Sequence, residues 1–275
     1  FILGAFSSGL LLFGSSLIYG FTGTTNFYDL YILFKNFEST NDISTGLLLG
    51  SVFLLIGILF KLGAVPFHMW VPDVYDGVST IVTAVFSIVP KIAIFTLLLR
   101  ISLYFFSVNY FFLQQIILYS AIFSIIIGTL GALYQNKLKK LLAYSAISHV
   151  GFLLIGFSNL NNFSLFSLFF YISIYIIISL NIFALILGLR KNNSYLKFKK
   201  INEFVLLFKS NKLLAINFSL ILFSIAGIPP LVGFYSKFYI FVSAIESKTY
   251  LVAIIAAVFS VIASMYYIRL IKLMF

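Results

Sequence analysis

Eight long apolar runs, at residues 1–21, 46–71, 79–105, 111–134, 138–159, 164–189, 213–244 and 249–273, dominate this chain. Each is longer than the roughly 20 residues that carry a helix across about 30 Å of hydrocarbon. The runs are continuous rather than alternating, which argues for helices and against a transmembrane β-barrel. Composition agrees. Of 275 residues, 62% are hydrophobic and 9% charged, where a soluble domain carries roughly 45–50% and about 25%. A soluble enzyme and a disordered chain are both excluded. The expected fold is an all-α polytopic membrane protein with about eight transmembrane helices. Between the first two runs lies the polar connection Thr22–Thr45, in which Phe27–Phe37 is apolar enough to form a short amphipathic helix on the membrane surface.

The formal charge is +11, and the charges sit mostly between the runs. With eight spans, one side collects Lys137, Lys139, Lys140, Arg190, Lys191, Lys197, Lys199, Lys200, Lys209, Lys212, Arg269 and Lys272. The other side receives chiefly Lys35, Arg100 and Lys248. The positive-inside rule then places both ends on the cytoplasmic-equivalent side. Asp73 and Asp76 are the exception, an acidic link on the basic side. These are loop lysines facing lipid headgroups, so membrane lipid is an expected partner and nucleic acid is not. The chain contains no cysteine, hence no disulfide, thiolate metal site or iron–sulfur ligation.

Three lysines fall inside apolar runs: Lys61, Lys91 directly after Pro90, and Lys237. An ammonium at the bilayer centre costs about 2.5–3.5 kcal/mol on insertion scales. It persists by facing protein or water, or by releasing its proton, because desolvation disfavours the charged form. Snorkelling to an interface accounts for a lysine near a span end, but poorly for Lys91. The acids Asp29, Glu38, Asp42, Asp73, Asp76, Glu203 and Glu246 all fall in loops or at span ends. Each buried lysine therefore needs a counter-charge from another polypeptide, or else water and hydroxyls.

Two of the runs are interrupted. Gly63, Ala64, Val65 and Pro66 follow Lys61, and Gly227, Ile228, Pro229 and Pro230 precede Lys237. Proline removes an amide donor and blocks the carbonyl one turn back. In lipid the freed groups must find protein or water, and broken helices beside a midplane charge are a transporter device. A structural kink explains one such break. Two breaks, each next to a lysine and in spans of opposite direction, favour a transport site. His149 lies mid-run with Tyr144, Ser145 and Ser148 within about a turn. The group reads equally as a water-linked proton chain and as packing hydroxyls. His68 reads as structural, and Trp70, Pro72, Asp73 and Tyr75 as an interfacial anchor and turn. No phosphate loop, nucleotide fingerprint or nucleophile constellation is visible.

Four ordered stretches carry a family resemblance: Phe60–Gly77 (FKLGAVPFHMWVPDVYDG), Phe86–Phe95 (FSIVPKIAIF), Lys139–Phe152 (KKLLAYSAISHVGF) and Gly227–Tyr239 (GIPPLVGFYSKFY). Together the chain resembles the N-type, antiporter-like membrane subunits of respiratory complex I, NADH:ubiquinone oxidoreductase. That resemblance implies an inverted-repeat fold with two discontinuous helices. The chain would run from the family's sixth helix to its thirteenth, with residues 1–110 the C-terminal part of the first repeat and 111–275 a complete second repeat. It implies that Lys61, Lys91 and Lys237 are proton-channel lysines. Lys61 would be the switching site, Lys91 the relay and Lys237 the exit or linking site. The glutamate that pairs with Lys61 in the family sits on the fifth helix, so a separate polypeptide is expected to supply it with the other N-terminal helices. Val78, Ile81, Asp76 and Ser236 depart from the family's usual residues without touching the lysines. The implied function is proton translocation coupled to remote electron transfer, among other membrane-arm subunits. Flavin, iron–sulfur clusters and ubiquinone would reside in other subunits, with no cofactor in this chain. A cation/proton antiporter subunit and a non-pumping scaffold are the alternatives. Abundant Phe, Ile, Tyr, Asn and Lys fit an AT-rich organellar genome, which favours the mitochondrial inner membrane over a bacterial plasma membrane.

Overall fold

Where lipid replaces water, every backbone amide and carbonyl must find a partner within the protein, and a helix is the simplest way to satisfy them all. The computed structural model, which describes residues 2–40, 45–104, 110–158, 161–189, 200–205 and 207–275, is helical accordingly. In chain order the helices are α1 (Ile2–Thr22), α2 (Phe27–Thr40), α3 (Thr45–Leu62), α4 (Trp70–Gly77), α5 (Thr80–Tyr104) and α6 (Tyr110–Leu133). They continue with α7 (Leu138–Phe157), α8 (Asn162–Gly188), α9 (Leu207–Ser210), α10 (Lys212–Ala226), α11 (Val232–Glu246) and α12 (Tyr250–Met274). A 3-10 turn, Ile201–Phe204, precedes α9. Among the described residues the only β-type pairing is an isolated bridge between Lys137 and Lys200.

Seven of these helices, α1, α3, α5, α6, α7, α8 and α12, are long and apolar enough to cross a membrane. The remaining predicted span is divided. At 15 residues each, α10 and α11 reach about 22 Å apiece and neither crosses alone. Joined end to end through residues 227–231, they make one discontinuous traverse. The expected eight traverses are thus present, six unbroken and two interrupted, at α3–α4 and at α10–α11. The helix predicted over Phe27–Phe37 is α2. It turns Leu30 and Phe34 into the interior and leaves Tyr28 and Ile32 exposed.

Packing is organised around α7. Of its span 89% is buried, against 17% for α1 at the periphery. Helices α4, α6, α8 and α11 all pack on it. Apolar attraction between helices is weak in lipid, so close van der Waals fit and buried polar links hold such an assembly. Three apolar clusters supply the fit. One gathers α3, α5, α6 and α8, a second gathers α8, α10 and α12, and a third sets Val65, Val71 and Tyr75 against Ala143, Ala146 and Ile147.

The acidic exception to the charge rule has a local cause. Lys140 Nζ meets Asp73 Oδ1 at 3.0 Å, and Lys137 Nζ meets Asp76 Oδ2 at 2.6 Å. Lys139 Nζ donates to the Val78 carbonyl. The first residues of α7 therefore clasp α4, and the two aspartates are neutralised by the basic cluster they accompany. Asp42, Arg190, Lys191, Lys197 and Lys199 lie outside the described residues, as do the side chains of Lys35 and Glu38.

Candidate proton pathway

Both breaks are built in the same way. At the first, α3 stops at Leu62, Gly63 takes a left-handed φ of +71°, and a cis Val65–Pro66 peptide follows. The freed Val65 N–H donates to Ser124 Oγ of α6 at 2.9 Å, and Trp70 Nε1–H donates to the Phe60 carbonyl at 3.0 Å. At the second, α10 stops at Ala226, Gly227 takes φ +85°, and Pro229–Pro230 is cis. Gly233 N–H there donates to Ser224 Oγ at 3.3 Å. Pro66, Pro229 and Pro230 thus stand where the sequence placed the interruptions, and protein groups satisfy the exposed backbone.

The second break holds a cation. Lys237 Nζ donates to the carbonyls of Ile225 at 3.1 Å and Ala226 at 2.9 Å, the last turn of α10. Those carbonyls lack helical donors and form the negative end of the helix dipole, which favours a positive group. The amine also lies 5.5 Å from the Phe152 ring centroid. Lys237 is 5% exposed. Gly227 is required twice here, because a Cβ at that position would come within 3.0 Å of Lys237 Cδ and φ is positive.

Lys91 is 7% exposed and sits in the unbroken α5 directly after Pro90. Its Nζ donates to Tyr175 Oη at 2.9 Å and to the Ala146 carbonyl at 3.2 Å. Tyr175 Oη–H in turn donates to the Ser87 carbonyl at 3.4 Å.

Lys61 departs from expectation: its side chain is exposed within this chain, not buried. It occupies the last turn of α3 and lines an open cavity of about 790 Å³, shared with Lys91 and flanked by Ile2, Leu3 and Trp70. The physical reason is coverage. The first turn of α1 and residues of α4, α5 and α7 border the cavity without closing over it, so among the described residues the amine stays open where the interior site was predicted.

His149 is 6% exposed, and its Nδ1 lies 2.6 Å from Tyr171 Oη. Its Nε2 has no partner among the described residues. The sequence pointed to Tyr144, Ser145 and Ser148 as its companions. Ser145 Oγ and Ser148 Oγ instead donate to the carbonyls of Leu142 and Ser145 one turn back, and the Tyr144 ring packs beside Gly131 of α6. The real companions, Tyr171 and Tyr175, come from α8. A signal for them existed: Ser164, Ser167, Tyr171, Tyr175 and Ser179 recur every three or four residues and form a polar stripe along an apolar helix. His68 is buried within the first break with its Nδ1 unpartnered among the described residues.

The interior therefore joins two amines, an imidazole and two phenols, all able to accept or release protons. Among the described residues the carboxylate–lysine pairs are those between α4 and α7, and none reaches Lys61, Lys91 or Lys237.

Residues 1–263 match the NADH:quinone oxidoreductase/Mrp antiporter transmembrane family. A relative in Marchantia polymorpha, NADH-ubiquinone oxidoreductase chain 2, is 51% identical over all of this chain and 55% of its own length. The chain thus spans about half the length of the curated relatives it matches. Among solved structures, respiratory complex I from Thermus thermophilus matches with a TM-score of 0.81 at 29% identity, over 100% of this chain and 58% of the other. The Mrp complex from Dietzia matches at 0.87 and 25% identity, over 99% of this chain and 49% of the other. With its two broken helices and its interior lysines, the chain belongs to the NADH:quinone oxidoreductase/Mrp antiporter transmembrane family.

Proposed function

We propose that this chain is a proton-translocating membrane-arm subunit of NADH:ubiquinone oxidoreductase. In this reading protons move through Lys61, Lys91, His149 and Lys237, driven by electron transfer in other subunits. One observation carries the proposal. Lys91 and Lys237 are enclosed without a carboxylate among the described residues, held only by carbonyls and a phenol. An amine stabilised by dipoles alone gains or loses a proton without breaking an ion pair. The neutral and charged forms then both fit the same site. Likeness to NADH-ubiquinone oxidoreductase chain 2 supports the electron-transfer partner. Flavin, iron–sulfur clusters and ubiquinone are assigned to companion subunits.

Lys61 is the proposed switching site. The cavity of about 790 Å³ beside it suits a helix from a separate polypeptide bearing a glutamate, which would pair with the exposed amine. Residues 1–110 are read as the C-terminal part of one antiporter-like repeat and 111–275 as a complete second one. The mitochondrial inner membrane is the proposed location, supported by composition and by the plant relative.

The test is Lys237→Met in the assembled complex. It is expected to assemble, since methionine keeps most of the length of the side chain and removes the cost of burying a charge, and to lower proton translocation coupled to quinone reduction. Wild-type translocation by an assembled variant would support a scaffold role instead. Similarity to the Mrp complex favours a second reading, a cation/proton antiporter subunit. Copurification with flavin and iron–sulfur subunits separates the two.

A further inference from the structure

Between Lys91 and Lys237 the described residues leave two small spaces. A space of about 20 Å³ is bounded by Ser87, Ser145 and Ser179. A second, of about 10 Å³, is bounded by His149 and Lys237. Each has room for about a single water, so neither holds a water wire. Two residues border both spaces, Tyr175 and Ile225. Isoleucine has no exchangeable side-chain proton. Tyr175 has one, and its oxygen already accepts from Lys91 Nζ at 2.9 Å. Its ring centroid lies 5.4 Å from that of His149, whose buried Nε2 has no partner among the described residues.

Resting on the proton-pathway reading above, we propose that Tyr175 is the hydroxyl relay through which the Lys91 proton reaches His149. Lys91 as an ammonium transfers an N–H proton to Tyr175 Oη. The O–H proton of Tyr175, donated at rest to the Ser87 carbonyl at 3.4 Å, turns in the same event toward the space shared with His149 and is taken up, through one water, by the imidazole. One N–H bond of Lys91, the O–H bond of Tyr175 and one O–H bond of the water break, and new O–H bonds on Tyr175 and on the water and an N–H bond on His149 form. Lys91 ends neutral, His149 ends cationic, and tyrosine is neutral before and after. No free tyrosinate is required, which matters in a site this dry. Lys237 borders the same space as His149 and is the next acceptor.

The experiment measures protons moved per NADH oxidised in vesicles holding the assembled complex, with Lys91→Met as the reference. Tyr175→Phe, which removes only the hydroxyl, is expected to fall to the Lys91→Met level. Tyr175→Gln is expected to fall equally, because its amide oxygen accepts the Lys91 hydrogen bond but relays no proton. Tyr175→His, which takes a proton on one nitrogen while releasing one from the other, is expected to regain coupling. Recovery in Tyr175→Gln to the level of the histidine variant would overturn the relay, leaving Tyr175 as a positioning residue for Lys91. Wild-type coupling in Tyr175→Phe with low coupling in Lys91→Met would overturn the relay but keep the pathway. Wild-type coupling in Lys91→Met would overturn the pathway reading itself. If the histidine variant fails to assemble, the Phe and Gln variants decide: equal loss supports the relay, and Gln above Phe refutes it.

Discussion

A lysine kept from water must be held by something, and at Lys237 the holder is the carbonyl end of a cut helix. That arrangement depends on Gly227. Gly227→Ala places a side chain at φ +85° and within 3.0 Å of Lys237 Cδ. The left-handed backbone alone costs about 1–2 kcal/mol. The variant is expected to lower the thermal midpoint of the complex and to reduce coupling by displacing the amine. Unchanged coupling would detach Lys237 from its carbonyl cradle. At this scale the sequence was informative where a residue type is out of place. A lysine or a proline within an apolar run stands out, and the three lysines and the three break prolines were singled out this way. The tyrosines were not: the polar stripe that holds Tyr171 and Tyr175 along α8 was there to read, but 17 tyrosines spread through an aromatic-rich chain leave it little contrast. The exposure of Lys61 was also hidden, since it depends on what covers that face rather than on the helix bearing it.

The broken helices work as elements because other helices complete them. Ser124 of α6, 59 residues from Val65 in the chain, accepts the N–H that the first break frees. Ser124→Ala leaves that buried donor without a partner, at a cost of about 1–3 kcal/mol. Denaturation of the detergent-solubilised complex should show it as a lowered midpoint, and an unshifted midpoint would mean the break is satisfied elsewhere. The clasp between α4 and α7 should matter less. Its ion pairs are partly exposed, and such pairs contribute about 0–1 kcal/mol each. Asp73→Asn with Asp76→Asn is expected to shift the midpoint slightly at low salt and not at all at high salt. A large, salt-independent loss would show a role beyond charge pairing. Gly-then-Pro patterns announced both breaks in the sequence. Their hydrogen-bond partners were illegible because they come from distant helices, and a one-dimensional pattern carries no such register.

For the whole molecule, the architecture was legible because lipid leaves few choices: long apolar runs become helices, and the count of traverses follows from their lengths. What the sequence could not specify was enclosure. The chain surrounds Lys91 and Lys237 but leaves Lys61 at a cavity of about 790 Å³. In the intact assembly a carboxylate from outside these 275 residues is expected within roughly 4 Å of Lys61 Nζ, the reach of an ion pair. Lipid alone beside that amine would refute the pairing. The central claim is broader, that enclosed amines without carboxylate partners among the described residues carry protons. It is tested most directly by the number of protons moved per NADH oxidised in the Lys91→Met complex. The account predicts a fully assembled complex with a lower ratio than wild type. An unchanged ratio would contradict it.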